Sequence, residues 1–163
     1  MKRFPNKRQA NFLDQLPQKA LTGDSCETVR QSKYNFAYMD FNQGAITSLE
    51  NYGGKRTQDL FNKLKALSEF PLEHWKREPV GKGKNHVLEI YGDFPKKSNF
   101  SHPKHVPHDV AWGRFRFGSA LRLVGFVMPD KLQDVEHEKH RVPFDGNTFY
   151  IVYFDPNHEF YQT

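Results

Sequence analysis

Cysteine is nearly absent: Cys26 is the only one in 163 residues. An intramolecular disulfide and a cysteine-based zinc cage are both excluded, and a reducing, cytoplasmic setting is the expectation. Long apolar runs are also missing. Nothing approaches the roughly 20 residues that a membrane span needs, and mean hydropathy is −0.81. The start, Met1-Lys2-Arg3-Phe4-Pro5-Asn6-Lys7-Arg8, is basic but lacks the apolar stretch of a secretory signal. No internal repeat is visible.

Aromatic side chains are plentiful, at 15% of the chain with 15 Phe. Large rings bury the area that offsets chain entropy, so wholesale disorder is excluded. Lys and Arg number 24 against 19 Asp and Glu, a formal charge of +5 with a pI near 9.3. That balance suits a polyanionic partner such as RNA or DNA, and equally suits ordinary colloidal charge. Position along the chain has to decide.

Residues 1–32 read as a polar, basic extension, partly disordered or packed against a partner, with a short helix over 9–20 around Phe12, Leu13 and Leu16. The domain runs over 33–163. Tyr34 to Phe41 reads as a strand with rings at even positions. From Lys55 to Ser68, Leu60, Phe61, Leu64 and Leu67 fall on one helical face, and Pro71 opens a second short helix carrying Leu72 and Trp75. Strands follow at His86–Tyr91, Trp112–Phe117, Leu121–Met128 and Thr148–Phe154, the last apolar on both faces and therefore interior. Strand, helices, then strands predicts an α+β fold: a small antiparallel sheet of four to five strands with two helices on one side.

Three arginines sit on one hairpin. In Trp112-Gly113-Arg114-Phe115-Arg116-Phe117, alternation puts Trp112, Arg114 and Arg116 on one face and Phe115 and Phe117 on the other. Pairing across the Gly118-Ser119 turn places Arg122 beside the first two if the faces of the two strands match. Forked guanidinium donors fixed on a sheet suit phosphate oxygens; the competing reading is arginines paired with carboxylates on a solvated face. After the last strand comes Asp155-Pro156-Asn157-His158-Glu159-Phe160-Tyr161, where a scaffold can present His158 and Tyr161 without burying them. Imidazole moves protons near neutral pH, and a phenol orients or donates. Alternatively His158 caps the turn and Tyr161 packs as an edge ring.

Weaker signals complete the inventory. Lys82 and Lys84 flank Gly83 on a basic loop, and Lys96-Lys97 open a Pro/His/Lys-rich loop over 95–108; both pairs extend a phosphate footprint if they border the hairpin. His86 faces the arginines or serves as a structural histidine. His102, His105 and His108, with Asp109, and the later His137 and His140 satisfy no metal-spacing motif, so no metal is assigned. Trp75 and Trp112 are expected in the core.

Arg114 to Leu123, the strand Phe149–Phe154 and Asn157-His158-Glu159-Phe160-Tyr161 together resemble the C-terminal half of RelE/ParE-superfamily toxins, and the order of elements over 33–77 is similar too. The resemblance implies an extended member with a RelE-like sheet, acting as the toxin of a toxin–antitoxin system. In the RelE branch that implies a ribosome-dependent, metal-independent endoribonuclease acting on mRNA, in which the 2′-hydroxyl attacks the adjacent phosphate. By resemblance, Arg122 is the phosphate-stabilising arginine, and Arg116, His158 and Tyr161 share the catalytic site. Arg114 is then expected to bind RNA, with Lys82, Lys84 and His86 as further RNA-binding candidates from their positions in the chain; the resemblance implies no cofactor and a cognate acidic antitoxin as partner. The alternative is a non-catalytic binder of nucleic acid or of a protein target such as gyrase, from a phage or another mobile element.

Overall fold

The computed structural model describes residues 21, 27–43, 53–117 and 121–162. The helix expected over 9–20, Cys26 and the Gly118-Ser119 turn lie outside the described residues. The described chain is α+β: β1 (Lys33–Asn35), α1 (Gly53–Ser68), α2 (Leu72–Arg77), β2 (Leu88–Gly92), β3 (Ala111–Phe117), β4 (Leu121–Val127), a short 3-10 turn (Asp130–Leu132) and β5 (Thr148–Asp155). The five strands form one sheet in the order β1-β5-β4-β3-β2.

Four of the strands form the expected antiparallel meander, and β1 joins β5 in parallel, Lys33 opposite Thr148. The first strand is also shorter than the ring pattern suggested. It stops at Asn35, where the amide side chain accepts from Ala37 N and turns the chain.

One face of the sheet packs on the helices. Leu60, Leu64 and Leu67 of α1 and Leu72 of α2 close over Leu88, Phe115, Phe117, Leu123, Phe149 and Ile151. Phe61 departs from the expectation, being 63% exposed. At 3.6 residues per turn it lies about 100° around the helix from Leu60, whereas Leu64 and Leu67 return to within about 40° of it. The end of α1 is well held, since Leu67 O accepts from both Ser32 Oγ and Trp75 Nε1, supplying donors to a carbonyl that the helix leaves over. Asn147 links three segments: its Oδ1 accepts from Leu72 N, and its Nδ2 donates to Arg30 O and Gln31 O.

The second face is buried too, and among the described residues no helix covers it. Residues 93–110 cross it as a strap, with Phe100, Val106 and Val110 packing beside Trp112, Val124, Phe126, Val152, Tyr153 and Phe160. The strap is tied down by Tyr153 Oη donating to Ser101 O at 2.7 Å and by Asn99 N donating to Glu159 O at 3.0 Å. The Pro/His/Lys-rich stretch is therefore an anchored cover. Trp112 is core, as expected, at 1% exposure, and Trp75 is half-buried against the helical side. No helix among the described residues is long and apolar enough to cross a membrane.

Candidate functional site: a row of guanidinium groups

Alternation along β3 places Arg114 and Arg116 on the strap face with Trp112, while Phe115 and Phe117 enter the helical core. On β4 the same parity sends Leu123 and Val127 to the helices and Arg122, Val124 and Phe126 to the strap face. Register completes the row. Glu89 lies opposite Arg114, Arg116 opposite Arg122, and Arg122 opposite Asp155. Side-chain charge thus runs across four strands as one carboxylate, three guanidiniums and one carboxylate.

Asp155 reaches this face because of a bulge. Val124 pairs with Tyr153 but Gly125 pairs with Ile151, so Val152 is an extra residue on β5. The insertion reverses the in/out parity beyond it. Val152 and Tyr153 both enter the strap-side core, and Asp155 comes to lie on the arginine face. Its carboxylate then accepts from Asn157 N, Glu159 N and Phe160 N at 3.0–3.2 Å. Those bonds build the loop that carries His158, which is exposed with φ of 61°. A left-handed backbone at a residue with a Cβ is uncommon and has to be held by its surroundings; here the Asp155 carboxylate holds it.

Glu89 binds two arginines. Arg116 Nη2 donates to its Oε1 at 3.0 Å and to its Oε2 at 3.1 Å, and Arg114 Nη2 donates to Oε2 at 3.2 Å. The side chains are only 12–19% exposed. Burial alone would raise the Glu89 carboxyl, but the hydrogen bond and charge of Arg116, then those of Arg114, reverse this and hold it below its ordinary value. Arg122 is buried at 4% exposure, and its Nη1 donates to Leu121 O. Desolvation first, then the charges of Arg116 and Arg114, push its pKa down against the opposing pull of Asp155 and Tyr91. A guanidinium keeps its proton at any physiological pH, so burial and the neighbouring arginines act as electrostatic stress on a buried cation. The Nε–H groups of Arg114 and Arg116 are buried with no acceptor among the described residues. Such a site gains from an added anion with several oxygens.

Tyr91 borders the row. It is the bulged residue between Ile90 and Gly92, its hydroxyl donates to Glu89 Oε2 at 3.1 Å, and the Arg114 guanidinium lies 5.5 Å from its ring centre. Burial, helped by the Glu89 charge, raises its phenol above the ordinary value against the pull of Arg114. Tyr161 stacks on Tyr91, rings 4.3 Å apart and 5° from parallel. Tyr161 is 39% exposed, so one end of this stack meets solvent.

Of the residues singled out in the sequence, the structure thus brings Arg114, Arg116 and Arg122 into one row and joins Tyr161 to it through Tyr91. His158 stands on the loop that begins at Arg122's cross-strand neighbour. Lys82 and Lys84 are exposed on the turn between Pro79 and His86, closed by Val80 N donating to Asn85 O, outside the row. His86 is half-buried in a groove shared with Glu89 and Tyr91. His102 and His108 stack on each other at 4.3 Å while His105 contacts Tyr38, and among the described residues no three His, Cys, Asp or Glu side chains converge on a metal position. Glu89, Tyr91 and Asp155 are the additions. Glu89 was within reach, since alternation in Leu88-Glu89-Ile90-Tyr91 sets Glu89 and Tyr91 on one face; Asp155 needed the bulge. Comparison with protein-family models, curated proteins and solved structures finds no match.

Proposed function

We propose that this chain is a toxin-like endoribonuclease of the RelE kind, acting on mRNA by 2′-hydroxyl attack on the neighbouring phosphate, with an acidic antitoxin as its partner. The observation that carries this reading is the row of Arg114, Arg116 and Arg122 on one face of the sheet, half-buried to buried and held in register between Glu89 and Asp155. In the reaction, the 2′-oxygen forms a bond to phosphorus and the bond to the 5′-oxygen breaks. A 2′,3′-cyclic phosphate and a 5′-hydroxyl result. Negative charge grows on the phosphoryl oxygens as the fifth bond forms, and preorganised cations are the largest source of stabilisation for such a step. Arg122 and Arg116 supply it. Arg114 binds phosphate while stacked over Tyr91. His158 takes the 2′-hydroxyl proton, and the phenol of Tyr161, held by stacking, returns one to the leaving oxygen.

A second reading, a binding protein without catalysis, is favoured by one specific observation: Glu89 already pairs with two of the three arginines. Induced expression in bacteria separates the two. The nuclease reading expects growth and translation to stop, with new transcript ends, and expects Arg122→Gln and His158→Ala to relieve the arrest while circular dichroism shows them folded. DNA-damage signalling without transcript cleavage, or arrest undiminished in folded Arg122→Gln, refutes it.

A further inference from the structure

Two open grooves lie against the edge strand β2, one on each side of Tyr91. The first, about 430 Å³, is lined by Lys76, His86, Leu88, Glu89, Ile90 and Tyr91. The second, about 490 Å³, includes Tyr91, Asp93, Lys96, Lys97 and Tyr161. Both volumes fall in the range that holds a small ligand. Tyr91 belongs to both, and it carries Arg114 against its ring and the Tyr161 stack. The grooves therefore share Tyr91, the residue that borders the guanidinium row, although no arginine of the row lines either groove.

We infer that a single RNA strand bound at the row continues along both grooves, with Lys76 and His86 holding phosphate on one side and Lys96 and Lys97 on the other. The inference rests on the nuclease reading and adds the path and extent of the substrate. The carboxylates along the way are few. Glu89 is already occupied by two arginines, and Asp93 shares its groove with two lysines. Lys76 has an ion pair with Glu73 at 3.5 Å, a surface contact of the kind a phosphate displaces at little cost. Cations tracking a backbone with aromatic rings between them are the features by which proteins hold single strands. A duplex keeps its bases stacked on each other and gains nothing from the rings.

The test is fluorescence anisotropy with labelled, uncleavable 2′-O-methyl oligouridylates of three, six and ten nucleotides and a ten-base-pair duplex. The wild-type protein is compared with Lys76→Ala and with the Lys96→Ala/Lys97→Ala double variant. Lys96 and Lys97 are exposed and Lys76 is half-buried, so circular dichroism first establishes that each variant is folded. Wild type should bind the ten-mer at least about tenfold more tightly than the three-mer, and more tightly than the duplex. Removing two phosphate contacts should flatten the salt dependence by about 1.4, at roughly 0.7 per contact for single strands. The double variant should lose most of the length gain, Lys76→Ala part of it, and both should keep wild-type affinity for the three-mer. A length gain that survives both substitutions overturns the groove path and leaves the nuclease reading standing. Lysine variants that alter only the binding of an acidic protein segment also overturn it. Failure of wild type to bind any oligonucleotide removes the nuclease reading itself.

Discussion

Replacing Glu89 by Gln should weaken the fold and create a dependence on added anions. The carboxylate receives three N–H···O contacts of 3.0–3.2 Å from two guanidiniums whose side chains are 12–14% exposed. Contacts of this kind contribute about 1.5–3 kcal/mol each. Gln keeps one acceptor oxygen but turns an NH₂ toward a guanidinium, and it removes the carboxylate that pairs Arg114 and Arg116. Discounting for partial exposure and for the contact that survives, the loss is about 2–3 kcal/mol. For a chain of this length that corresponds to a fall in Tm of about 5–10 °C. Thermal melts in chloride should show this fall. Melts in phosphate or sulfate at matched ionic strength should recover most of it, because the anion takes the place of the missing carboxylate and binds only the folded state. Melting of Glu89→Gln at the parental temperature, or equal destabilisation in chloride and phosphate, would refute the idea that the row is an anion site poised by Glu89.

Other consequences follow from the same contacts. A Cβ on Gly125 would lie 2.0 Å from Tyr150 O, so Gly125→Ala should destabilise by about 3 kcal/mol, lowering Tm by about 6–12 °C in a melt. Asp155→Asn removes the acceptor for Phe160 N and the charge beside Arg122; it should cost about 2–3 kcal/mol and speed hydrogen exchange at the amides of Asn157, Glu159 and Phe160. Burial, then the charge of His108, depresses the His102 imidazole. The folded state thus favours its neutral form, so stability should be complete above about pH 6.5 and decline as pH falls through the depressed value; His102→Phe should flatten that decline in urea melts at pH 7 and pH 5. Glu89 is held low in the same sense, so its contribution persists above about pH 4 and disappears only below it.

Much of this architecture is legible in the residues themselves. The spacing of Leu60, Leu64 and Leu67 reports a helix face, and strict alternation from Trp112 to Phe117 reports which side chains share a surface, because both periods follow from local backbone geometry. Phe61 shows the limit of that reasoning: the four-residue apolar set is wider than the arc that meets the sheet, and Phe61 falls outside it. Non-local choices are the harder class. Parallel pairing of β1 with β5 joins residues 115 positions apart, as with Lys33 and Thr148, and nothing in Lys33-Tyr34-Asn35 specifies it. The extra residue at Val152 moves Asp155 to the arginine face without leaving a mark in an unbroken apolar run. The strap was hidden by its own composition, since prolines and histidines suggest a solvated loop. Its signal was the apolar set of Phe94, Phe100, Val106 and Val110 among them. The candidate site follows the same division: the three arginines were visible as a cluster, whereas the carboxylates at the two ends of the row depended on register.

The most direct measurement of the central claim is the chemistry of the RNA ends. Total RNA from cells expressing the wild-type chain, or mRNA incubated with purified protein and ribosomes, is mapped for terminal groups beside the folded Arg122→Gln variant. Metal-free attack by the 2′-hydroxyl on a phosphate gripped by the arginine row predicts new 2′,3′-cyclic phosphates paired with 5′-hydroxyls, reduced at least about a hundredfold in the variant, the scale on which loss of one preorganised charge-stabilising group acts. New ends bearing 5′-phosphate and 3′-hydroxyl, equal cleavage by Arg122→Gln, or intact transcripts throughout would contradict it.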